Sequence, residues 1–375
     1  MGCAEDEVPD QAAVREVERR HLAAPFFSVC IPQYNRTALL LEGCRSLMAQ
    51  TFQNFEVCIS DDCSTDGRGE EILAFLRQSS LSFVYQRQSR NQRYDANLRA
   101  SIALARGTYC FLLGNDDCLA SPDTFAELAK ELQRFGSVSA VITNYEDCTT
   151  GKVFRRVRTT RVCGSGAAVA VQQFRNVSFV SGVMLQTRKA QTHATSRWDG
   201  SEMYQMFLFC RIVAEGAAVA GIDHVAVRKD CRIPGEQVES YVKPRENPCP
   251  IRERLLPLRY MGQLVTDAIA PFQDENMTRH LAVLVLSQIL LFPYPFWVLE
   301  YRRVQSWRYA LGICWGMRPS RIWPSCGLSR VQRSLVTGLY GVMSIVGLCF
   351  PLAVFDRMYP WLYQVAKSLG GTRKA

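Results

Sequence analysis

Thr108-Tyr109-Cys110-Phe111-Leu112-Leu113-Gly114-Asn115-Asp116-Asp117 is the stretch that decides the fold. Its apolar part, residues 109–113, reads as a short buried strand. The strand stops on a glycine, an asparagine and two adjacent carboxylates. Paired acids at the end of a strand are a place to hold a divalent cation. Oxygen ligands with few protein contacts suit Mg2+ or Mn2+, with the remaining coordination left to substrate phosphates. Taken alone, Asn-Asp-Asp reads more simply as a polar turn whose acids are solvated. The residues before it reverse that reading.

Upstream the chain alternates strands and helices. Residues 26–31 are an apolar, β-rich run that stops at Pro32-Gln33-Tyr34-Asn35-Arg36. Residues 37–50 place Leu40, Leu41, Cys44, Leu47 and Met48 at helical spacing. Residues 55–60 form a second strand, closed by Asp61-Asp62-Cys63-Ser64-Thr65-Asp66-Gly67 before a helix over 69–78. A third strand is expected over 81–85 and a helix over 95–106. Alternation of this kind implies an α/β fold with a mostly parallel sheet flanked by helices, and ligands outside the carboxyl ends of its strands. The polar clusters at 32–36, 61–66 and 114–117 all fall at such ends.

Three of these segments carry a resemblance: Ser28-Val-Cys-Ile-Pro-Gln-Tyr-Asn-Arg36, Asp61-Asp-Cys-Ser-Thr-Asp66 and Leu113-Gly-Asn-Asp-Asp117. In this order and spacing they resemble family 2 of the inverting glycosyltransferases, with the Rossmann-like nucleotide-diphospho-sugar transferase fold of the A type. The likeness covers about residues 26–230. Arg93-Tyr-Asp-Ala-Asn97, the Gly-Asn-Asp-Asp run and Trp198-Asp-Gly-Ser-Glu-Met-Tyr204 are similar to the bacterial O-antigen branch that includes abequosyltransferases. The resemblance implies that Pro32, Tyr34, Asn35 and Asp61 hold the base and ribose of a nucleotide sugar, that Asp62 supports their loop, and that Asn97, Asn115 and Asp116 join the donor site. It implies Mg2+ or Mn2+ on Asp116 and Asp117. The first acid of the family's Asp-x-Asp motif is Gly114 here, which passes its ribose contact to Asn115 or removes it.

Inversion needs a general base for the acceptor hydroxyl. The family places an acid before a helix ending in Arg-x-x-x-x-Gly, and Arg211 to Gly216 fits that ending. Counting back, the usual acids fall on Tyr204-Gln205, so the nearest carboxylates, Glu202 first and Asp199 second, are the candidates. A plainer reading has Glu202 only starting a helix over 203–215. Some relatives use a late histidine as metal ligand, which makes His224 a candidate, although a lone histidine at a strand end is more often structural. The mixed-charge segment 228–237 reads as a lid or as a solvated loop.

At 375 residues the chain holds an N-terminal extension (1–24), a catalytic domain (25–250) and a helical C-terminal region (251–375). The first residues are charged, without a secretory signal. Fifteen cysteines with no Cys-x-x-Cys pair read as buried thiols in a reducing compartment. Residues 300–375 contain eleven Lys/Arg against Glu300 and Asp356, which equals the +9 net charge of the whole chain. A basic region that is also strongly apolar favours an anionic membrane surface over nucleic acid. Two uncharged runs, 281–299 and 335–355, are long enough to be spanning candidates. The arginines between them favour a monotopic arrangement on the cytoplasmic face of the inner membrane. A soluble helical subdomain is the plainer alternative. The expected function is transfer from a nucleoside diphosphate sugar to a polyprenyl-diphosphate-linked saccharide in surface polysaccharide synthesis, with a nucleotidyltransferase and a catalytically silent sugar-nucleotide-binding or scaffold protein as alternatives.

Overall fold

The computed structural model describes residues 15–18, 24–231, 233, 256–358 and 361. Residues 232 and 234–237 of the expected lid lie outside the described residues. In chain order the first part runs β1 (Arg15–Glu18), β2 (Phe27–Gln33), α1 (Thr37–Met48), β3 (Phe55–Asp61), α2 (Gly69–Gln78), β4 (Phe83–Arg87), α3 (Arg93–Leu104) and β5 (Tyr109–Leu112). It continues β6 (Cys118–Leu119), α4 (Thr124–Phe135), β7 (Ala140–Asp147), β8 (Lys152–Phe154), β9 (Arg161–Gly164), α5 (Ala167–Gln173), β10 (Val183–Gln186), α6 (Thr187–Thr192), α7 (Tyr204–Ala214) and β11 (Val219–Lys229).

These strands form one sheet in the order β1-β4-β3-β2-β5-β10-β7-β11-β6, with β8 on β7 and β9 on β11. The block β4-β3-β2-β5 is parallel, so its carboxyl ends open along one edge. β2 and β3 are buried at every residue, as central strands covered on both faces must be. Beyond β5 the sheet becomes mixed, because β10 enters antiparallel to both β5 and β7. β11 then runs parallel to β7 and carries register shifts between Gly221 and Val227.

One face of the sheet packs Phe27, Phe55 and Phe111 around Phe125 of α4, at ring-centroid distances of 4.9, 5.1 and 5.2 Å. Each such fully buried ring contributes about 1.5–3 kcal/mol of burial. The other face packs α3, α5 and α7, and this core continues without a break into the C-terminal helices. Those are α8 (Leu256–Ile269), α9 (Glu275–Leu291), α10 (Pro293–Val304), α11 (Trp307–Gly316), α12 (Pro319–Ile322) and α13 (Arg330–Cys349).

The apolar run 281–299 falls in two helices whose buried residues join this core. It divides between α9 and α10 at Pro293, where a new helix can start because proline lacks only an N–H that a first turn does not use. Leu281, Val285, Leu286, Ile289 and Leu290, then Tyr294 and Val298, are buried with Leu112, Val183 and Leu185 of the sheet. About half of this segment is buried against the core, and it is still long and apolar enough to cross a membrane. α13 differs: Val336, Ser344 and Gly347 are its buried residues. Gly347 lies so close to α10 that a Cβ would stand 2.7 Å from Val298. Arg302 of α10 donates to the carbonyls of Gly347, Leu348 and Phe350, which α13 leaves without helical partners at its end.

The expectation of unpaired thiols fails at one place. Cys118 and Cys231 form a disulfide, with Cα atoms 6.3 Å apart. Antiparallel pairing of β6 with β11 sets Cys118 against Arg228, which brings two cysteines 113 residues apart together.

Candidate active site

The strand ends of the parallel block form a polar rim built by mutual hydrogen bonding. After β2 the chain turns through Asn35 and Arg36, both with left-handed backbone (φ 52° and 56°). The Asn35 N–H donates to Ser64 Oγ and its Oδ1 accepts from the Thr65 N–H, both at 2.8 Å. The loops after β2 and β3 therefore hold each other. Asn97 of α3 donates to the Gln33 carbonyl at 2.9 Å. Asn115, after β5, donates to Gln33 Oε1 at 2.8 Å.

The residues expected to bind the donor divide by exposure. Tyr34 is 41% exposed on this rim, and Asn35 and Asn115 are half-buried there. Pro32 is buried within β2, level with Ser60. Asp61 is wholly buried, and its oxygens accept from the Ser64 N–H (2.8 Å) and the Tyr85 hydroxyl (2.7 Å). Asp62 accepts the N–H groups of Gln92 and Arg93 at 2.7 and 2.8 Å. It thereby fixes the start of α3 rather than the loop after β3. Burial pushes the Asp62 carboxyl up, against the pull of those two N–H groups.

Asp116 and Asp117 take different parts. Asp117 is buried, with Oδ1 accepting from the Asp230 N–H (3.0 Å) and Oδ2 from the Ser181 hydroxyl (2.5 Å). Burial and the neighbouring Asp116 push its carboxyl well above the usual range. Both oxygens are committed to the protein, so Asp117 organises the site and is a poor ligand for a cation. Asp116 receives Arg36 at 2.9 Å. Burial raises its carboxyl, Arg36 lowers it in part, and Asp230 raises it again.

One incompletely compensated carboxylate suits Mg2+ or Mn2+ shared with a diphosphate, since such ions take one or two protein carboxylates and complete their shell with phosphate and water. Among the described residues no three His, Cys, Asp or Glu side chains gather into a closed metal site. His224 does not join the acids. It lies six residues before Asp230 on an extended strand, about 20 Å away at the usual rise. The ring is half-buried: burial lowers its pKa, and the charge opposing that is Glu127 of α4.

Gly114 has a local explanation. A Cβ there would stand 2.9 Å from Asp117 Oδ2, 3.1 Å from Asp116 Oδ1 and 3.4 Å from Ser181 Oγ. Its N–H donates to that same Ser181 Oγ at 2.8 Å. The two following carboxylates fold back over the strand end, into the space an acidic side chain at 114 would need.

The two base candidates are separated by their partners. Asp199 is held by both terminal nitrogens of Arg99, one of them at 2.8 Å. Glu202 is exposed, in a left-handed turn (φ 59°) ahead of α7. Asp95 of α3 makes that turn. Its carboxylate accepts the N–H of Glu202 at 2.7 Å and of Tyr204 at 3.0 Å. Tyr94 precedes Asp95 on α3 and reaches α7 through its hydroxyl. Burial raises its phenol pKa, and so do the charges of Asp95, Glu202, Asp117 and Asp116. Its hydroxyl donates to Gln205, one of the two positions where the family's acids would fall.

Sequence reasoning missed Arg36, Asp95, Tyr94, Ser181 and Asp230. The polar type of each was visible, but partners 64 to 113 residues away were not. It also missed Arg156. That buried guanidinium donates to the carbonyls of Thr143, Phe179 and Ser181, fixing the loop that presents Ser181 to Asp117. Burial lowers its pKa to about 10. Backbone strain marks the same place. Asn35, Arg36, Cys63, Arg93, Glu202 and Asp230 are the described non-glycine residues with left-handed backbone, and all six stand on this rim. Strained backbone of this kind concentrates at functional sites.

Residues 28–192 match the family described as Glycosyl transferase family 2. The abequosyltransferase RfbV of Salmonella typhimurium is 43% identical over 95 residues, covering 25% of this chain and 28% of that one. A PGL/p-HBAD biosynthesis glycosyltransferase of Mycobacterium tuberculosis is 34% identical over 108 residues, covering 29% and 42%. The chain thus matches less than half the length of either relative. In structure it is similar to residues 1–349 of S. aureus TarS in complex with UDP, with a TM-score of 0.56 and 15% identity over 85% of this chain and 90% of that one. The match begins in β2 and carries all three strand-end clusters that build the rim, so the chain is similar to family 2 glycosyltransferases over residues 28–192 and shares its fold with TarS.

Proposed function

We propose that this enzyme transfers a sugar from a nucleoside diphosphate to a hydroxyl of a polyprenyl-diphosphate-linked saccharide, with inversion, in synthesis of O-antigen or another surface polysaccharide. The observation that carries the reading is one strand-end rim that holds Tyr34, Asn35, Asn115 and Asp116 and, through α3, whose start Asp62 fixes and whose Asp95 accepts the Glu202 N–H, also positions Glu202. The RfbV likeness supports the pathway.

Tyr34 and the loops after β2 and β3 receive the base and ribose. Asp116 would hold a divalent cation, which would neutralise the charge building on the leaving diphosphate. Glu202 takes the proton from the acceptor hydroxyl as its oxygen attacks the anomeric carbon. The bond from that carbon to the diphosphate oxygen breaks on the opposite face, and one displacement inverts the configuration. Asp95 holds Glu202 in place. The enzyme works at the cytoplasmic face of the inner membrane, where such an acceptor is presented.

The test supplies the protein with α-linked nucleoside diphosphate sugars and a lipid-linked acceptor, with and without chelator. Nucleoside diphosphate release, a β-linked product seen by NMR and loss of both on chelation are expected. A retained α-linkage would exclude the single displacement; chelator-resistant transfer would remove the cation.

A further inference from the structure

α11 and α13 carry an apolar face that the rest of the described chain does not cover. On α11, Trp307, Leu311 and Trp315 are 52, 49 and 66% exposed. Steps of four residues place them on one side of the helix, away from the buried Ala310, Ile313 and Cys314. On α13, Val331, Leu335, Val342, Ile345 and Val346 are exposed. Their spacing makes one stripe opposite Val336, Ser344 and Gly347. It runs for about 22 Å at the helical rise. After Arg333 no charged residue occurs on α13. The two helices touch, since the Tyr340 hydroxyl donates to the Cys314 carbonyl at 2.6 Å.

The charge around this face is positive. Arg308, Arg330 and Arg333 are exposed, and Arg318 lies over the Trp315 ring at 4.3 Å. The acids of the region, Glu300 and Asp356, both pair with Arg303. An apolar stripe edged by arginines and interfacial tryptophans is complementary to anionic lipid: rings and aliphatic side chains enter the headgroup boundary while guanidinium groups meet phosphates.

We propose that the α11–α13 face docks flat on an anionic phospholipid bilayer. This deepens the membrane placement proposed above and is independent of which acid is the base. Spanning by α13 would strip Gly347 from Val298 and Arg302 from the carbonyls at the end of that helix. Flat docking keeps both.

Flotation of the full chain with vesicles tests this. Binding to phosphatidylglycerol–phosphatidylcholine vesicles should exceed binding to phosphatidylcholine alone by about tenfold or more. The pair Leu335→Glu, Ile345→Glu should lower binding to both by at least about tenfold. The triple Arg308→Gln, Arg330→Gln, Arg333→Gln should lower only the phosphatidylglycerol-dependent part. Donor hydrolysis and melting temperature should be unchanged in both, since the altered side chains are exposed. Absence of vesicle binding by the wild type, or full binding by the Glu pair, would overturn the proposal. So would a wild-type dimer that the Glu pair converts to monomer with vesicle binding intact, because the face would then belong to a second copy of the chain.

Discussion

The strand-end rim and the α11–α13 face depart from ordinary folding economy in opposite ways. On the rim the departure is in backbone and charge. Left-handed non-glycine residues, each a local cost of order 1–3 kcal/mol, stand beside the buried carboxylates Asp95, Asp116 and Asp117. On the α11–α13 face every described residue has ordinary backbone except Gly327, between helices, and the departure is in apolar surface left in water. A core residue explains neither. Strain and buried charge mark a place that holds small polar groups in fixed positions. Exposed apolar area mixed with arginine marks a place that meets a soft, charged surface. On the proposed reading, the two kinds of cost separate chemistry from attachment within one continuous core.

The sharpest way to break this contrast is to add charge to the rim. Gly114→Asp restores the acid that the family motif has there. In this protein it should destabilise by about 3 kcal/mol, because a further carboxylate would be forced between two buried ones. Melting temperature should fall by several degrees and turnover by orders of magnitude. Gly114→Ala should be milder on both counts. Gain of activity in Gly114→Asp would mean that the rim is an eroded site rather than a rebuilt one.

A smaller effect is expected at Asp95. Asp95→Asn keeps the shape and loses one acceptor for the N–H groups of Glu202 and Tyr204. The expected cost is about 1–3 kcal/mol at neutral pH. Burial, as the largest cause, holds the Asp95 carboxyl above its ordinary value despite the N–H groups donated to it. A raised folded pKa means the native state binds the proton more readily than the unfolded chain. The stability Asp95 contributes is therefore fullest in acid and is lost as pH rises through the folded value. The gap in melting temperature between wild type and Asp95→Asn should widen as pH falls from 7 toward 4. As a positioning residue, Asp95 should also lower kcat more than it raises the donor KM. A constant gap and an unchanged kcat would make it an ordinary helix cap.

The parallel half of the fold was legible because each of its strands is a short apolar run ending on a polar cluster. The helix Gly69–Gln78 has the bounds its sequence signals gave. The antiparallel half was not legible. β6, β8, β9 and β10 are two to four residues long, too short for periodicity to register. Of the site, the acids at strand ends could be read, since the chemistry needs them where strands stop. Their division of labour could not. Asp117 became internal through Ser181 and Asp230, Asp61 through Tyr85, and His224 stands apart from the acids because position along β11 outweighs residue type. The apolar run 281–299 reads as a spanning candidate from length and composition, and these do not show that about half of it is buried against the core.

The central claim is that the rim is a transferase site in which Glu202, not Asp199, is the base. The most direct measurement compares Glu202→Gln with Asp199→Asn for both sugar transfer and nucleotide-sugar binding. Glu202→Gln should keep donor affinity and lower transfer by roughly 10²–10⁴, while Asp199→Asn, which releases Arg99, should lower it far less. Near wild-type transfer by Glu202→Gln beside an inactive Asp199→Asn would contradict the account.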